Sequence, residues 1–334
     1  MPIVGPLEAY GIGKTPLLRC ASFAPTGRLF TKFEMYNRGG SIKDRTAYYV
    51  FRAAMESPSA IATRQLVEST SGNLGASLAV FAREFGFRLR CVVDPTIARA
   101  KIERLRGAGA EVEFVTSPDG DHRSERTRRA AELAATGEFH WTRQLANPAN
   151  VRAHEETTGV EIYEQTGGSA AIVVVAVGSG GTICGVGRAL KRRNRDVRII
   201  GVEPAGSTIF GGTPGPYLTA GAGLRTPSHL LRQHGYVIDS FARVEDAMAI
   251  REALDFARRE GVAVGITSGM TLAIARRISA ARPDEVVVAI AADGADNYCD
   301  MMIDLGVELA EPTIVDASSW WAGQRARPEQ SQPE

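Results

Sequence analysis

Short apolar runs alternate along this chain with longer stretches whose apolar positions recur every three or four residues. The runs predict strands over 29–36, 65–68, 88–94, 111–115, 139–142, 171–177, 197–202 and 286–292. The helical periodicity predicts helices over 43–56, 97–106, 123–135, 151–165 and 245–260, with others ending near 85 and 193 and one opening at 267. Pro58 and Gly86 supply stops. The run 171–177 is almost purely apolar, the pattern of a central parallel strand buried on both faces. Strand and helix alternate throughout, which predicts an α/β fold with largely parallel sheets. The β-α units over about 45–148 and 170–300 predict two separate sheets, with a ligand site in the cleft between them. The loop 204–227 holds Gly206, Gly211, Gly212, Gly215, Gly221 and Gly223, and a loop of that length is expected to be functional or mobile. From 311 onward the chain turns rich in Pro, Gln and Ser and reads as a loosely ordered tail. There is no internal repeat.

Composition changes this picture little. With 334 residues, 44% hydrophobic and 23% charged, the chain has ample material for a buried core. A net charge of +1 gives no electrostatic reason to expect nucleic acid or an anionic membrane as partner. Cys20, Cys91, Cys184 and Cys299 are widely spaced, as expected of reduced thiols in a cytoplasmic protein, and no leader or long apolar span is evident. Of 39 Lys and Arg residues only five are lysine: Lys14, Lys32, Lys43, Lys101 and Lys191. That scarcity draws attention to Lys43, which follows Gly39-Gly40-Ser41-Ile42 at a predicted helix start. Ser41 and Asp44 read as a capping box. The positive end of the helix would favour a neutral amine on Lys43, the form that attacks carbonyls. A solvated first-turn lysine fits the same spacing.

Three further stretches carry candidate chemistry. Gly178-Ser179-Gly180-Gly181-Thr182 joins the apolar run to a helix, an arrangement that binds phosphate through amides and the helix dipole. A dinucleotide fingerprint fails by one position, since Ile183 stands where the third glycine belongs, although Glu203 could mimic its ribose-binding acid. A tight turn without a ligand is the plain alternative. Ser69, Thr70 and Ser71, with the amides of Gly72, Asn73 and Leu74, could hold a carboxylate, and capping by Ser71 or Asn73 would explain the same residues. Thr267-Ser268-Gly269 is another hydroxyl-rich helix start. The five histidines lack metal-ligand spacing, and no serine-hydrolase or zinc-protease motif occurs.

Taken together, these stretches closely resemble the cysteine synthase/cystathionine β-synthase family of fold-type II pyridoxal-phosphate (PLP) enzymes. The resemblance covers about 11–303. It rests on Gly13-Lys14-Thr15-Pro16-Leu17, the run from Gly39 to Arg45, that from Glu68 to Gly75, Gln144 with Asn147-Pro148, the run from Gly178 to Gly185, and that from Gly265 to Gly269. It implies a tryptophan synthase β-like architecture of two three-layer α/β domains with largely parallel sheets. Residues 1–44 and 149–310 would form a large PLP-binding domain, 45–148 a small substrate-binding domain, and 311–334 the tail. Lys43 would be the catalytic residue and hold PLP as a Schiff base. Asn73 would bond the 3′-oxygen, and Gly178, Ser179, Gly180, Gly181 and Thr182 would cradle the phosphate. Thr267 would face the pyridine nitrogen, where a hydroxyl makes the ring a weaker electron sink and favours β-elimination over transamination. Thr70, Ser71, Gly72 and Gln144 would bind the substrate carboxylate.

Glu68 to Gly75, Cys91-Val92-Val93-Asp94-Pro95 and Gly206 to Gly211 look most similar to a subgroup of siderophore or antibiotic biosynthesis. Its members join O-phospho-L-serine to L-glutamate, giving N-(2-amino-2-carboxyethyl)-L-glutamate on the way to 2,3-diaminopropionate. Arg225 matches an arginine of that subgroup and would serve an anionic leaving group or nucleophile; a surface arginine is its plain alternative. Arg38 departs from the proline common at its position. The alternatives are a cysteine synthase using O-acetylserine or O-phosphoserine with sulfide or thiosulfate, and a non-catalytic regulatory protein of this fold. The resemblance implies a homodimer acting on small amino acids, and the residues themselves predict a cytoplasmic protein without a metal site.

Overall fold

The structure, a computed structural model, describes residues 5–118, 120–219, 221–296, 298 and 314–317. Eleven strands form two sheets among these residues: Leu17–Arg19 (β1), Arg28–Phe33 (β2), Gln65–Ser69 (β3), Arg88–Val93 (β4), Glu111–Phe114 (β5), His140–Trp141 (β6), Ala170–Ala176 (β7), Arg198–Pro204 (β8), Ser240–Val244 (β9), Val286–Ala291 (β10) and Ile314–Asp316 (β11). The larger sheet has the order β1-β2-β10-β7-β8-β9-β11 and the smaller β5-β4-β3-β6. The smaller sheet is wholly parallel. In the larger, only β1 and β11, at the two edges, run antiparallel to their neighbours. The fold is α/β, as the alternation of runs predicts.

The helices are Lys43–Glu56 (α1), Pro58–Thr63 (α2), Asn73–Glu84 (α3), Arg99–Ala108 (α4), His122–Ala135 (α5), Pro148–Ala153 (α6), Gly159–Gln165 (α7), Gly181–Lys191 (α8), His229–His234 (α9), Asp246–Glu260 (α10) and Ile266–Ala281 (α11). Every residue of β10 is buried, because parallel strands joined by helical crossovers are covered on both faces. One face of the larger sheet packs Val174, Val202 and Val287 against Phe256, Leu272 and Ile274. The other packs Val173, Val175 and Ile199 against Val186, Leu190 and Leu231. In the smaller sheet Leu66 and Leu89 meet Phe51, Leu78 and Leu105 of α1, α3 and α4. Val67 and Val92, on its opposite face, meet Ala130 and Leu133 of α5. None of the described helices is long and apolar enough to cross a membrane.

Several expectations change in detail. β1 and β9 are not evident from the apolar runs, and 151–165 is not one helix. It divides into α6, a π-helical turn at His154–Thr158, and α7. The wider turn coincides with a fully buried His154 ring, lodged between Thr158 Oγ1 at 2.9 Å and Thr46 Oγ1 at 3.1 Å. The capping box at the start of α1 does not form. Asp44 instead accepts from the Gly39 amide at 2.6 Å and from Ser77 Oγ, joining α1 to the loop before it and to α3. Within the stretch expected as a loose tail, β11 pairs with β9; the rest of that stretch lies outside the described residues, as does Cys299. Cys20, Cys91 and Cys184 are free and buried.

Candidate active site

Parallel strands place their carboxyl ends together, and loops leaving those ends build the site. Adjacent strands β2, β10 and β7 lead to Lys43, Asp293 and Gly178 respectively. The Ile42 amide donates to the Ala292 carbonyl at 2.8 Å, so the turn before Lys43 is fastened to the chain just beyond β10. From the smaller sheet, β3 leads to Thr70, Ser71 and Asn73, and β6 leads to Gln144. These residues line one cleft, together with Ser179, Gly221, Leu224, Thr267 and Asp293. Polar groups converging among apolar ones are the usual lining of a small-ligand site.

Lys43 stands partly buried in the first turn of α1. Burial pushes its amine below the usual lysine range, against an opposing pull from Asp293. Desolvation is thus the leading cause of that lowering. Asn73 opens α3. Its Nδ2 donates to Asp293 Oδ2 at 2.9 Å, while its buried Oδ1 has no hydrogen-bond partner. Thr70, not Ser71 or Asn73, secures the start of α3, its Oγ1 accepting from the Gly72 and Gly75 amides at 3.1 and 3.2 Å. The Gly72 amide is therefore committed inside the loop. Gln144 Nε2 donates to Ser69 O at 2.7 Å, and its amide donates to Glu68 Oε2 at 3.1 Å. Burial pushes the Glu68 carboxyl up to about 7.

Gly180 has φ +86° and α8 begins without a side-chain cap. Apart from a long contact of Gly181 N with Ser179 Oγ at 3.4 Å, its first amides are left for a ligand oxyanion. A Cβ on Gly178 would come within 2.9 Å of the Gly221 carbonyl, so backbone closes over the loop where a side chain cannot fit. Thr182 Oγ1 lies 3.3 Å from His154 Nε2. Thr267 opens α11 near Tyr298, with 3.4 Å between the two hydroxyls. Arg225 is not among the cleft's lining residues. Its side chain is 58% exposed and sits 3.9 Å from Asp121. Lys101, Arg123 and Arg126 supply cationic groups to the cleft in its place.

The family model "Pyridoxal-phosphate dependent enzyme" matches residues 9–293. The chain belongs to the pyridoxal-phosphate dependent enzymes. Among solved structures, O-ureido-L-serine synthase is 28% identical with a TM-score of 0.82, covering 93% of this chain and 98% of its own. O-acetylserine dependent cystathionine beta-synthase from Helicobacter pylori is 30% identical with a TM-score of 0.82, covering 91% and 100%. A hydrogen sulfide-producing enzyme from Fusobacterium nucleatum is 26% identical with a TM-score of 0.79, covering 88% and 99%. The chain is accordingly a PLP-dependent transferase of the cysteine synthase-like kind.

The residues present fit PLP. A desolvated amine, an unpartnered amide oxygen and an uncapped helix start converge on one cleft, and each answers a different part of that molecule. Lys43 would carry its aldehyde carbon, Asn73 would meet the 3′-oxygen, Gly178 to Thr182 the phosphate, and Thr267 the ring nitrogen. Sequence reasoning missed the residue that joins these parts. Asn150 is buried, accepts from Thr46 Oγ1 at 3.0 Å, and donates to Gln144 O at 2.8 Å and Ser179 Oγ at 3.0 Å. One side chain thereby ties α1, the segment at Gln144 and the glycine loop before α8. Its nearest signal is its place just after Asn147-Pro148.

Proposed function

We propose that this enzyme performs β-replacement on an activated L-serine, with O-phospho-L-serine as donor and L-glutamate as nucleophile. The Cβ–O bond of phosphoserine breaks and a Cβ–N bond to glutamate forms. Phosphate leaves, the glutamate amine gives up a proton, and the product is N-(2-amino-2-carboxyethyl)-L-glutamate. The reading sits in the siderophore-type subgroup, toward 2,3-diaminopropionate.

The observation that carries it is the charge of the cleft. Its described lining holds Lys43, Lys101, Arg123 and Arg126 against one acid, Asp293. Arg126 is balanced by Asp94 at 3.1 Å, and Asp293 faces the two lysines. Arg123 donates to the Gly223 carbonyl and has no ion pair among the described residues. PLP phosphate is served by the α8 amides, and a substrate α-carboxylate by the amides opening α3 and by Gln144. Arg123 is thus left over for a further anion. A phosphate leaving group or a dicarboxylic nucleophile provides one, whereas sulfide calls for no guanidinium. Bound PLP supplies an electron sink that makes the Cα proton acidic and the β-substituent a leaving group. Lys43, freed as a neutral amine, takes that proton and later returns it.

The test is an absorbance titration of the PLP-loaded protein. O-phospho-L-serine should shift the cofactor band, and L-glutamate should restore it while one phosphate per turnover is released. A shift that requires O-acetylserine and reverses only with sulfide would replace this reading with a cysteine synthase, which the 30% identity to an O-acetylserine dependent enzyme favours as the second reading. Light scattering is expected to give a homodimer.

A further inference from the structure

Behind the cleft lies a buried polar cluster that the proposed reaction does not use. Asp293 Oδ2 accepts from Asn73 Nδ2 at 2.9 Å and from the Tyr298 hydroxyl at 3.1 Å. The Tyr298 oxygen lies 3.4 Å from Thr267 Oγ1. Asp293, Tyr298 and Thr267 are each no more than 2% exposed. The chain of contacts therefore runs from the residue facing the ring nitrogen to the residue facing the 3′-oxygen. Lys101 adjoins it. Its side chain is 3% exposed, its ammonium stands 4.6 Å over the Tyr298 ring, and Asp293 is its principal attractive charge. A Cβ on Gly72 would come within 2.8 Å of the Lys101 stem, so the glycine in the substrate loop makes room for this lysine.

We propose that Asp293 is a positioning residue for the PLP ring, orienting the Asn73 amide and, through Tyr298, the Thr267 hydroxyl, with Lys101 compensating its charge. An amide presents opposite faces to its two neighbours. When the Asp293 carboxylate takes Nδ2, Asn73 turns Oδ1, an acceptor, toward the ring oxygen. A neutral partner that donates to Oδ1 instead turns Nδ2, a donor, toward it. The first arrangement favours a protonated 3′-oxygen and the second an ionised one, so Asp293 governs which form of the ring the site holds. The tyrosine proton is spent on Asp293, so the Thr267 proton is shared between Tyr298 and the ring nitrogen. The charged and titratable groups facing Asp293 are Lys43, Lys101 and Tyr298, with Asp296 and Arg104 acting on Lys101. This inference concerns the cofactor and holds whichever serine derivative is the substrate.

The experiment measures the dissociation constant for PLP and the ratio of the two absorption bands of bound PLP. Asp293→Ala, which deprives both Asn73 and Tyr298 of their acceptor, should weaken PLP binding at least tenfold and change the band ratio. Asp293→Asn should recover most of the affinity yet favour the visible band of the ionised 3′-oxygen. Lys101→Met keeps the stem over Gly72 and removes a cation that favours the Asp293 carboxylate, so it should move the bands in the same direction as Asp293→Asn. Tyr298→Phe should alter the ratio with a smaller loss of affinity. If Asp293→Ala does not fold, the volume-preserving Asp293→Asn and Tyr298→Phe decide the matter. Wild-type spectra and affinities in both, or opposite band shifts in Asp293→Asn and Lys101→Met, would overturn the proposal.

Discussion

Replacing Arg45 with methionine tests what holds the helix that begins at Lys43 in place. Arg45 is two residues beyond Lys43 and fully buried. Its Nε and Nη2 reach the two oxygens of Glu34 at 2.7 and 2.8 Å, and Nη1 and Nη2 reach those of Glu161 at 2.6 and 2.8 Å. Lys32 joins from the other side, with Nζ 2.6 Å from Glu161 Oε2. The cluster fastens α1 to β2 and α7. Without Arg45, Glu34 keeps Thr15 Oγ1 at 2.6 Å and Asn37 Nδ2 at 2.9 Å, but its charge is buried beside Lys32 alone. Removing one partner of a buried ion pair costs roughly 3–5 kcal/mol. At about 2 °C per kcal/mol for a chain this long, the melting temperature should fall by roughly 6–10 °C. The double variant Arg45→Met with Glu34→Gln should lose less than Arg45→Met alone, because the stranded charge is gone. Burial pulls the Glu34 and Glu161 carboxyls upward, yet Arg45 and Lys32 outweigh it, holding Glu34 below its usual range and Glu161 at about 2. Their contribution is therefore complete above the unfolded carboxylate value of about 4.3 and is lost as pH falls through the folded values. The deficit of Arg45→Met should accordingly shrink on acidification. Thermal and guanidinium melts at several pH values would measure it. A loss below about 1 kcal/mol, or a double variant no better than the single, would show that the cluster does not stabilise the fold as argued.

Three further outcomes follow from the site. Lys43→Ala should abolish turnover and the covalent cofactor band while leaving the melting temperature of the cofactor-free protein nearly unchanged; a variant that keeps the band would remove Lys43 from its role. Asn150→Ala should cost about 1–3 kcal/mol of stability and weaken PLP binding, through three lost hydrogen bonds. Asn150→Asp should bind PLP more weakly still, because it places a carboxylate beside the phosphate loop, and tighter binding than Asn150→Ala would contradict that placement. Glu68 and Glu203 are each pushed up to about 7, mainly by burial. A carboxyl raised in the folded state makes stability fall as pH rises from its unfolded value, about 4.3, to its folded one. Melting temperature should therefore decline between about pH 5 and 7, and Glu68→Gln should flatten that decline. An unchanged slope in Glu68→Gln would show that Glu68 does not titrate in this range.

The parallel α/β architecture was legible in the chain, because strands covered on both faces must be continuously apolar, as in β7 and β10. The glycine loop after β7 and the lysine after Gly39-Gly40 were legible for a similar reason, since glycines stand where other parts of the chain approach too closely for a side chain. Those local patterns, joined by a resemblance of motifs, picked out Lys43, Asn73, Gly178 and Thr267, which the fold brings to one cleft. Tertiary structure alone decided the partners. Asp44 looked like a cap and instead joins Gly39 to Ser77, because the fold brings α3 against α1. Arg225 looked like the anion-binding arginine, but its loop leaves it largely exposed while α4 and α5 bring Lys101, Arg123 and Arg126 to the cleft. The sequence distance from Asn73 to Asp293 is 220 residues, and no local periodicity reports a contact of that range. Sequence specifies which side chains can pack or react, whereas the crossing of the two sheets determines which of them share a desolvated site, and there burial sets their charge.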